Sequence, residues 1–221
     1  MLDFCVFGAG RIGKVHAPNV AAHPKVRLRY IVDPDLDAAR ALAEPLGAEA
    51  LASGETALAD DTIGAVLIGG PTTTHIEQTE AAARVGKAFF CEKPIGLDIE
   101  RVEECVAVVI ETGVPFYLGF QMRFDPSFRE VRDAVRAGVI GHVEQIFMII
   151  RDSAPPPIEY IKQSGGIFRD SMIHALDVVR WVLEEDPSEA FAMGECVIDP
   201  DIGREGDVDS AMLMLRTPSG T

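Results

Sequence analysis

Basic residues are scarce in this sequence: 20 lysines and arginines stand against 35 aspartates and glutamates, for a formal net charge of −15. Such a surface repels phosphate backbones and anionic membranes, so we expect neither nucleic acid nor a membrane as a partner. A compact bound anion stays open, because backbone N–H groups attract it locally. The chain also lacks a secretory signal pattern and any apolar run of the roughly 18 residues typical of a transmembrane helix.

Cysteine is rare as well. The four cysteines are scattered without a CxxC pair, which favours a reduced, cytoplasmic protein. A chain of 221 residues buries roughly 70% of its unfolded surface and needs no covalent staple. The cysteines are Cys5, Cys91, Cys105 and Cys196.

The first half of the chain alternates short apolar runs with helical patterns. Near-continuous apolar strands separated by helices predict a doubly wound parallel sheet, the Rossmann arrangement of the α/β class. Strands are predicted at 2–7, 26–32, 65–68, 88–91 and 116–119, and helices at 11–22, 36–46, 75–85 and 99–112.

After residue 120 the pattern changes to long strand-like runs with fewer helices, so we expect domains at 1–120 and 121–221. The second domain is predicted to be α+β with an antiparallel sheet. Few strands beside one helix make a poor independent sheet, and we expect this domain to be incomplete. Its predicted helices are 126–137 and 168–183, and its predicted strands are 143–150, 190–198 and 207–215.

A glycine fingerprint follows the first strand directly and begins a helix. Gly8 allows a tight turn, Gly10 lets the backbone approach a pyrophosphate, and Gly13 lets helix and strand pack closely. The intervening Arg11 and Ile12 contribute N–H groups at the positive end of the helix dipole. The pattern predicts a dinucleotide site.

Asp33 lies twenty residues beyond Gly13, at the end of the second predicted strand. A carboxylate there accepts hydrogen bonds from the adenosine ribose hydroxyls and repels a 2′-phosphate. Asp33 therefore favours NAD over NADP. The alternative is an ordinary turn acid before Pro34.

Two further strand ends carry polar side chains. Residues 71–75 read Pro-Thr-Thr-Thr-His, with Thr74 as a candidate helix N-cap, and residues 91–94 read Cys-Glu-Lys-Pro. Strand ends line the ligand crevice of an open α/β sheet. Glu92 and Lys93 are therefore candidates for a site, the alternative being a surface ion pair.

On the predicted helix 168–183, Asp170 and His174 are one turn apart, with Asp177 near one turn further along. A histidine supported by a carboxylate is the arrangement of a general base, which typically contributes about 10²- to 10⁴-fold. A half-buried structural histidine is the alternative. A metal site of these three residues is conceivable, but no fourth ligand is evident and we expect none.

Together these motifs resemble the Gfo/Idh/MocA oxidoreductase family, and 120–125, 151–157 and 165–170 are most similar to its inositol 2-dehydrogenases. The Glu-Lys-Pro motif is the most diagnostic. Ala175-Leu176 departs from the acidic residue that usually follows the histidine, which leaves the exact substrate open. The resemblance implies cofactor contacts from Gly8, Gly10, Arg11, Ile12, Gly13, Asp33, Pro71, Thr72, His75, Glu92 and Lys93.

The resemblance also implies a mechanism, oxidation of a secondary alcohol of a cyclic polyol or sugar by hydride transfer to NAD. His174 would take the hydroxyl proton, Asp170 would orient His174 and substrate, and Lys93 would hydrogen-bond the reacting oxygen. Arg123 and Asp152 would contact other ring hydroxyls. The family's second domain commonly supports dimers or tetramers, so a homo-oligomer is expected.

Two other classes stay open at this point. An incomplete second domain could leave a dinucleotide-binding module without catalysis. A structural protein that shares only the fold is the third hypothesis, since fold does not establish function.

Overall fold

The computed structural model describes residues 1–221 and consists of two units, Met1–Gly119 and Phe120–Thr221. The first unit contains a parallel sheet flanked by helices. The second contains helices and a small antiparallel sheet. None of the helices combines the length and apolar character needed to span a bilayer.

Six parallel strands form the sheet of the first unit in the order β3-β2-β1-β4-β5-β6. The order reverses between β1 and β4, and ligands of such sheets bind at the carboxyl ends beside that reversal. The predicted doubly wound sheet is confirmed. The strands are β1 (Leu2–Phe7), β2 (Val26–Val32), β3 (Glu49–Leu51), β4 (Ile63–Ile68), β5 (Ala88–Cys91) and β6 (Phe116–Leu118).

Helices cover both faces of this sheet, because successive side chains of a strand point to opposite faces. Cys5 and Phe7 of β1 enter one hydrophobic cluster, and Val6 between them enters the other. Two-sided burial explains why the strands are nearly continuously apolar. The helices are α1 (Gly13–Ala22), α2 (Leu36–Ala43), α3 (Glu55–Ala59), α4 (Thr72–Arg84) and α5 (Ile99–Thr112).

Two helix ends of the first unit differ from the prediction by three residues. The helix predicted at 36–46 ends at Ala43 and continues as a 3-10 turn, since Pro45 lacks the N–H that an α-helix needs there. The helix predicted at 75–85 begins at Thr72 with Pro71 as N-cap, so the N-cap role predicted for Thr74 is wrong. The Thr74 hydroxyl instead donates back to the Pro71 carbonyl oxygen (2.9 Å).

The second unit is α+β, as predicted. Its two strands pair antiparallel, with Glu189 opposite Arg216 and Glu195 opposite Ser210. The elements are α6 (Pro126–Arg136), α7 (Ile158–Ser164), α8 (Gly166–Asp170), α9 (Met172–Leu183), β7 (Glu189–Glu195), α10 (Pro200–Arg204) and β8 (Ser210–Arg216).

The strand predicted at 143–150 is not formed. The segment keeps the alternation of a strand, since Met148 and Ile150 are half-buried while Phe147 is 84% and Ile149 62% exposed. It pairs with no strand, however, because β7 and β8 pair only with each other. Alternation predicts which face a side chain occupies and does not identify a pairing partner.

Asp60, just before β4, joins three elements of the first unit. Its carboxylate accepts hydrogen bonds from the Tyr30 hydroxyl (2.8 Å) and from the amide and hydroxyl of Thr62 (2.8 and 2.7 Å). The Thr62 bonds, then the Tyr30 bond, lower the pKa of Asp60 from 3.8 to about 2. Its main-chain carbonyl accepts from the Lys87 ammonium (2.8 Å).

We predict that Asp60→Asn lowers the urea midpoint at pH 7 and that the loss shrinks in acid. A carboxyl whose folded pKa is depressed contributes stability above its unfolded pKa, near 4, and loses it as the pH falls toward 2. The measurement is urea unfolding of both proteins between pH 7 and 3. The exposed neighbour Asp61 provides the control Asp61→Asn. A deficit that stays constant with pH would contradict the assignment.

Candidate functional site

The glycine loop between β1 and α1 is shaped by close backbone contacts. Gly8 has a φ of +102°, and a Cβ on it would lie 2.7 Å from the Gly69 carbonyl oxygen. A Cβ on Gly13 would lie 1.9 Å from the Gly8 carbonyl oxygen. Gly10 is exposed and a Cβ there would meet nothing within 4 Å. The loop is therefore closed against the sheet and open where a phosphate would approach.

The Asp33 carboxylate lies beside this loop. It accepts a hydrogen bond from the Ala9 amide (2.7 Å) and another from the Asp35 amide (2.9 Å). The loop and the acid at the end of β2 thus form one contiguous group, with open space at Gly10. This arrangement fits a dinucleotide whose pyrophosphate meets the loop and whose ribose meets Asp33.

The loop that follows β4 lies next to the glycine loop. Gly69 and Gly70 continue β4 and contact Gly8, and Pro71 and Thr72 then lead into α4. The switch point of the sheet therefore collects the predicted residues of β1, β2 and β4. Arg11 is exposed and Ile12 is the N-cap of α1. Cofactor contacts of these residues stay predictions.

Glu92 and Lys93 follow β5. The Glu92 amide donates to the Ile68 carbonyl oxygen (2.9 Å), which extends the sheet by one residue. A Cβ on Gly119 would lie 2.8 Å from Glu92 Oε2. Lys93 is half-buried and Pro94 is buried. Glu92 is thus packed into the first unit rather than placed on its surface.

Sequence reasoning missed His16 on α1. Its Nε2 lies 2.6 Å from Glu92 Oε1, and its ring meets Phe90 edge-on with 5.4 Å between the ring centroids. His16 sits one helical turn beyond Gly13, and this spacing from the fingerprint is the only sequence signal that could have indicated it.

His75 on α4 is buried, with 2% of its surface exposed. Its Nδ1 lies 2.8 Å from the Pro94 carbonyl oxygen and its Nε2 3.0 Å from the Gly70 carbonyl oxygen. The imidazole therefore spans the loops that follow β4 and β5. Contact of His75 with a cofactor stays a prediction.

In the second unit the predicted helix 168–183 is interrupted at Ser171. Gly165 and Gly166 both have positive φ, and Asp207 approaches them so closely that a Cβ on Gly166 would lie 2.7 Å from Asp207 Oδ1. The Asp207 carboxylate accepts from the Ile167 amide (3.1 Å) and fixes the start of α8. Asp207 is forty residues from this turn, so nothing in the sequence indicated it.

Asp170 ends α8 and His174 lies in the first turn of α9, so the continuous helix used to place them on one face is absent. The Tyr160 hydroxyl donates to Asp170 Oδ1 (2.8 Å). His174 meets Phe120 edge-on, with 6.3 Å between the ring centroids. Because Lys93 belongs to the other unit, its combination with Asp170 and His174 into one catalytic site stays a prediction.

Arg123 and Asp177 form an ion pair in which Asp177 is buried and Arg123 is partly exposed. The guanidinium donates from Nε to Asp177 Oδ2 (2.8 Å) and from a terminal nitrogen to Oδ1 (2.5 Å). Asp177 is 5% exposed. The pair joins the turn before α6 to α9, and it occupies both Asp177 oxygens that a metal site would need. Asp152 is exposed in the segment before α7. Substrate contacts of Arg123 and Asp152 stay predictions.

Comparisons with known proteins agree with this geometry. A family model described as an oxidoreductase family with an NAD-binding Rossmann fold matches residues 2–120, and the GFO/IDH/MocA C-terminal domain matches residues 128–221. An inositol 2-dehydrogenase of Rhizobium meliloti is 46% identical over 98% of this chain and 66% of its own length. The chain thus spans just under two thirds of that relative.

Two solved structures are similar over the whole chain. A myo-inositol dehydrogenase from Corynebacterium glutamicum superposes with a TM-score of 0.93 at 43% identity, covering 100% of this chain and 66% of that one. A scyllo-inositol dehydrogenase from Lactobacillus casei, with bound NAD(H) and scyllo-inositol, superposes with a TM-score of 0.88 at 27% identity. It covers 100% of this chain, which spans 67% of that one.

We predict that Asp33→Ala weakens NADH binding about tenfold or more and leaves NADPH binding unchanged or improved. A hydrogen bond to a charged group is worth about 1.5–3 kcal/mol, and the lost carboxylate no longer repels a 2′-phosphate. Fluorescence titration with both nucleotides measures this. Asp37, exposed in the first turn of α2, gives the control Asp37→Asn. An equal loss for both nucleotides would mean that Asp33 does not meet the ribose.

Proposed function

Because the chain belongs to the Gfo/Idh/MocA family of NAD-binding oxidoreductases, we propose that it oxidises a secondary alcohol of a cyclic polyol to a ketone. NAD is the proposed cofactor and a myo-inositol-like ring the proposed substrate. The observation that carries the proposal is the contiguous group of glycine loop, Asp33 and the Glu92-Lys93 strand end at the switch point of the sheet.

The chain's residues hold the cofactor in this proposal through backbone and ribose contacts. The amides of 10–13 face the pyrophosphate, and Asp33 accepts from the adenosine ribose hydroxyls. NAD, when bound, supplies the acceptor for the hydride that leaves the carbinol carbon. The side chains of the protein accept the proton of the hydroxyl and stabilise the negative charge that develops on its oxygen.

His174 takes the proton of the reacting hydroxyl in this mechanism, so that the C–O bond becomes a carbonyl as the hydride departs. Lys93 donates a hydrogen bond to the same oxygen and stabilises the negative charge that develops there. Asp170, whose carboxylate is already oriented by Tyr160, positions His174 and the ring. Arg123 and Asp152 contact other hydroxyls.

The substrate class rests on the relatives. The Rhizobium meliloti protein is named an inositol 2-dehydrogenase, and the Lactobacillus casei structure contains scyllo-inositol. Ring polyols present several secondary alcohols, which suits a site with one base and several hydrogen-bonding side chains.

A second copy of this chain is the proposed protein partner. Across the β7–β8 sheet Phe191 opposes Met214 and Met193 opposes Met212, and all four are between 59% and 68% exposed. An apolar patch of this kind marks an association surface. A cytoplasmic location is proposed from the four free cysteines, three of them buried, and full thiol titration of protein purified without reductant checks it.

We predict a mass of two or four times 23.9 kDa by light scattering, because self-association would bury this apolar face. Met193→Lys, which places a charge on that face, is expected to shift the mass toward the monomer. Ile110, 72% exposed on α5, gives the control Ile110→Lys. A monomeric wild-type chain would contradict the proposal.

We predict NADH formation at 340 nm with NAD and at least one inositol, and a loss of turnover of about 10²-fold or more in His174→Ala. The variant is expected to keep its NADH affinity within twofold, since a base on α9 does not hold the cofactor. The exposed His142 gives the control His142→Ala.

The outcomes separate the hypotheses. NADH binding without turnover on any inositol would favour a dinucleotide-binding module. Failure of saturating NADH to raise the melting temperature would reject the cofactor as well, because any ligand of the native state stabilises it. A large loss of NADH affinity in His174→Ala would reject its role as base.

A further inference from the structure

Lys93 lies between two residues that are each held by a histidine. Glu92 precedes it and contacts His16, while Pro94 follows it and contacts His75. The two histidines come from different helices, α1 and α4, and both lie in the first unit. The residue between two anchored neighbours has a defined backbone position.

On the first side, the Glu92 side chain is fixed by two contacts, and its partner His16 is held by a third. Its Oε1 is 2.6 Å from His16 Nε2, its Oε2 is packed where a Cβ on Gly119 would stand, and the His16 ring is itself placed edge-on against Phe90. The side chains of His16 and Glu92 are only 23% and 18% exposed, so water screens the pair weakly.

On the second side, His75 holds the main chain directly. Its Nδ1 is 2.8 Å from the Pro94 carbonyl oxygen, and its Nε2 is 3.0 Å from that of Gly70. A carbonyl oxygen only accepts, so the ring nitrogen that carries the hydrogen donates to its carbonyl, and the other nitrogen packs against the second carbonyl. His75 thereby joins the loop that carries Lys93 to the Gly69–Gly70 loop, which contacts Gly8.

In place of the cofactor contact that the family resemblance implies for His75, we propose that His16 and His75 are positioning residues for Lys93, acting through Glu92 and Pro94. The inference rests on the proposed function, in which Lys93 must meet the reacting oxygen. A misplacement of about 1 Å can cost about 10²-fold in rate. Loosening either anchor therefore reduces kcat with little change in cofactor affinity.

His75 allows a matched pair of variants. His75→Asn places an amide near the Nδ1 position and can keep the Pro94 contact, whereas His75→Gln reaches the Nε2 position and can keep the Gly70 contact. Each variant keeps one of the two ring contacts and loses the other. We predict that kcat falls about tenfold or more in His75→Gln and about threefold or less in His75→Asn, with similar melting temperatures and NADH affinity within twofold of wild type.

His16 is tested in the same way. We predict that His16→Ala lowers kcat about tenfold and that His16→Gln, which retains a donor toward Glu92, recovers most of the loss. His23 at the exposed end of α1 provides the control His23→Gln, expected to match wild type.

A second readout does not require turnover. Reductive methylation of Lys93, followed by peptide mass spectrometry, is expected to be at least threefold faster in His75→Gln and His16→Ala, with exposed Lys14 unchanged as internal reference. If wild-type chain shows no turnover, the proposed function fails while this rate still tests positioning.

Three results would overturn the inference. Equal losses of kcat and melting temperature in both His75 variants would make the histidine purely structural. An unchanged Lys93 methylation rate would show that the anchors do not hold this lysine. A fall in NADH affinity instead of kcat would place His75 on the cofactor.

Discussion

The first unit depends on a backbone contact that leaves no room for a side chain. Gly13 approaches the Gly8 carbonyl so closely that a Cβ would lie 1.9 Å away, and Gly8 in turn presses on Gly69. This contact brings the start of α1 onto the ends of β1 and β4 at the switch point. Asp33 then reaches the Ala9 amide, and His16 reaches Glu92. A bulkier residue at Gly13 would separate all of these groups.

The strand-end loops form a connected framework around Lys93. Glu92 continues the sheet through its amide and meets α1 through its carboxylate, while His75 connects the loops after β4 and β5. Placing Lys93, the proposed catalytic lysine, on such a framework limits its freedom more than an unsupported loop would. The same framework adjoins the proposed cofactor site, so the loops after β4 and β5 position both Lys93 and the proposed cofactor.

The second unit uses polar pairs where it has little apolar core. The Arg123–Asp177 pair joins the turn before α6 to α9, and Asp207 fixes the two-glycine turn before α8. These contacts help to position α8 and α9, the helices that carry Asp170 and His174. Gly165 and Gly166 both have a positive φ, and the Asp207 carboxylate leaves no room for a Cβ on Gly166. This geometry explains why both positions are glycine.

The sequence by itself determined the parallel sheet, the glycine loop and Asp33, because period, glycine spacing and strand-to-helix order are local properties. Its expectation of a strand at 143–150 was wrong, since pairing needs a partner that alternation does not specify. Only the tertiary structure decided that Ser171 interrupts the helix of Asp170 and His174. It alone also brought His16 to Glu92, His75 to Pro94 and Asp207 to the glycine turn. Those contacts join residues 19 to 76 positions apart, and a distance of that kind is settled by packing rather than by local pattern.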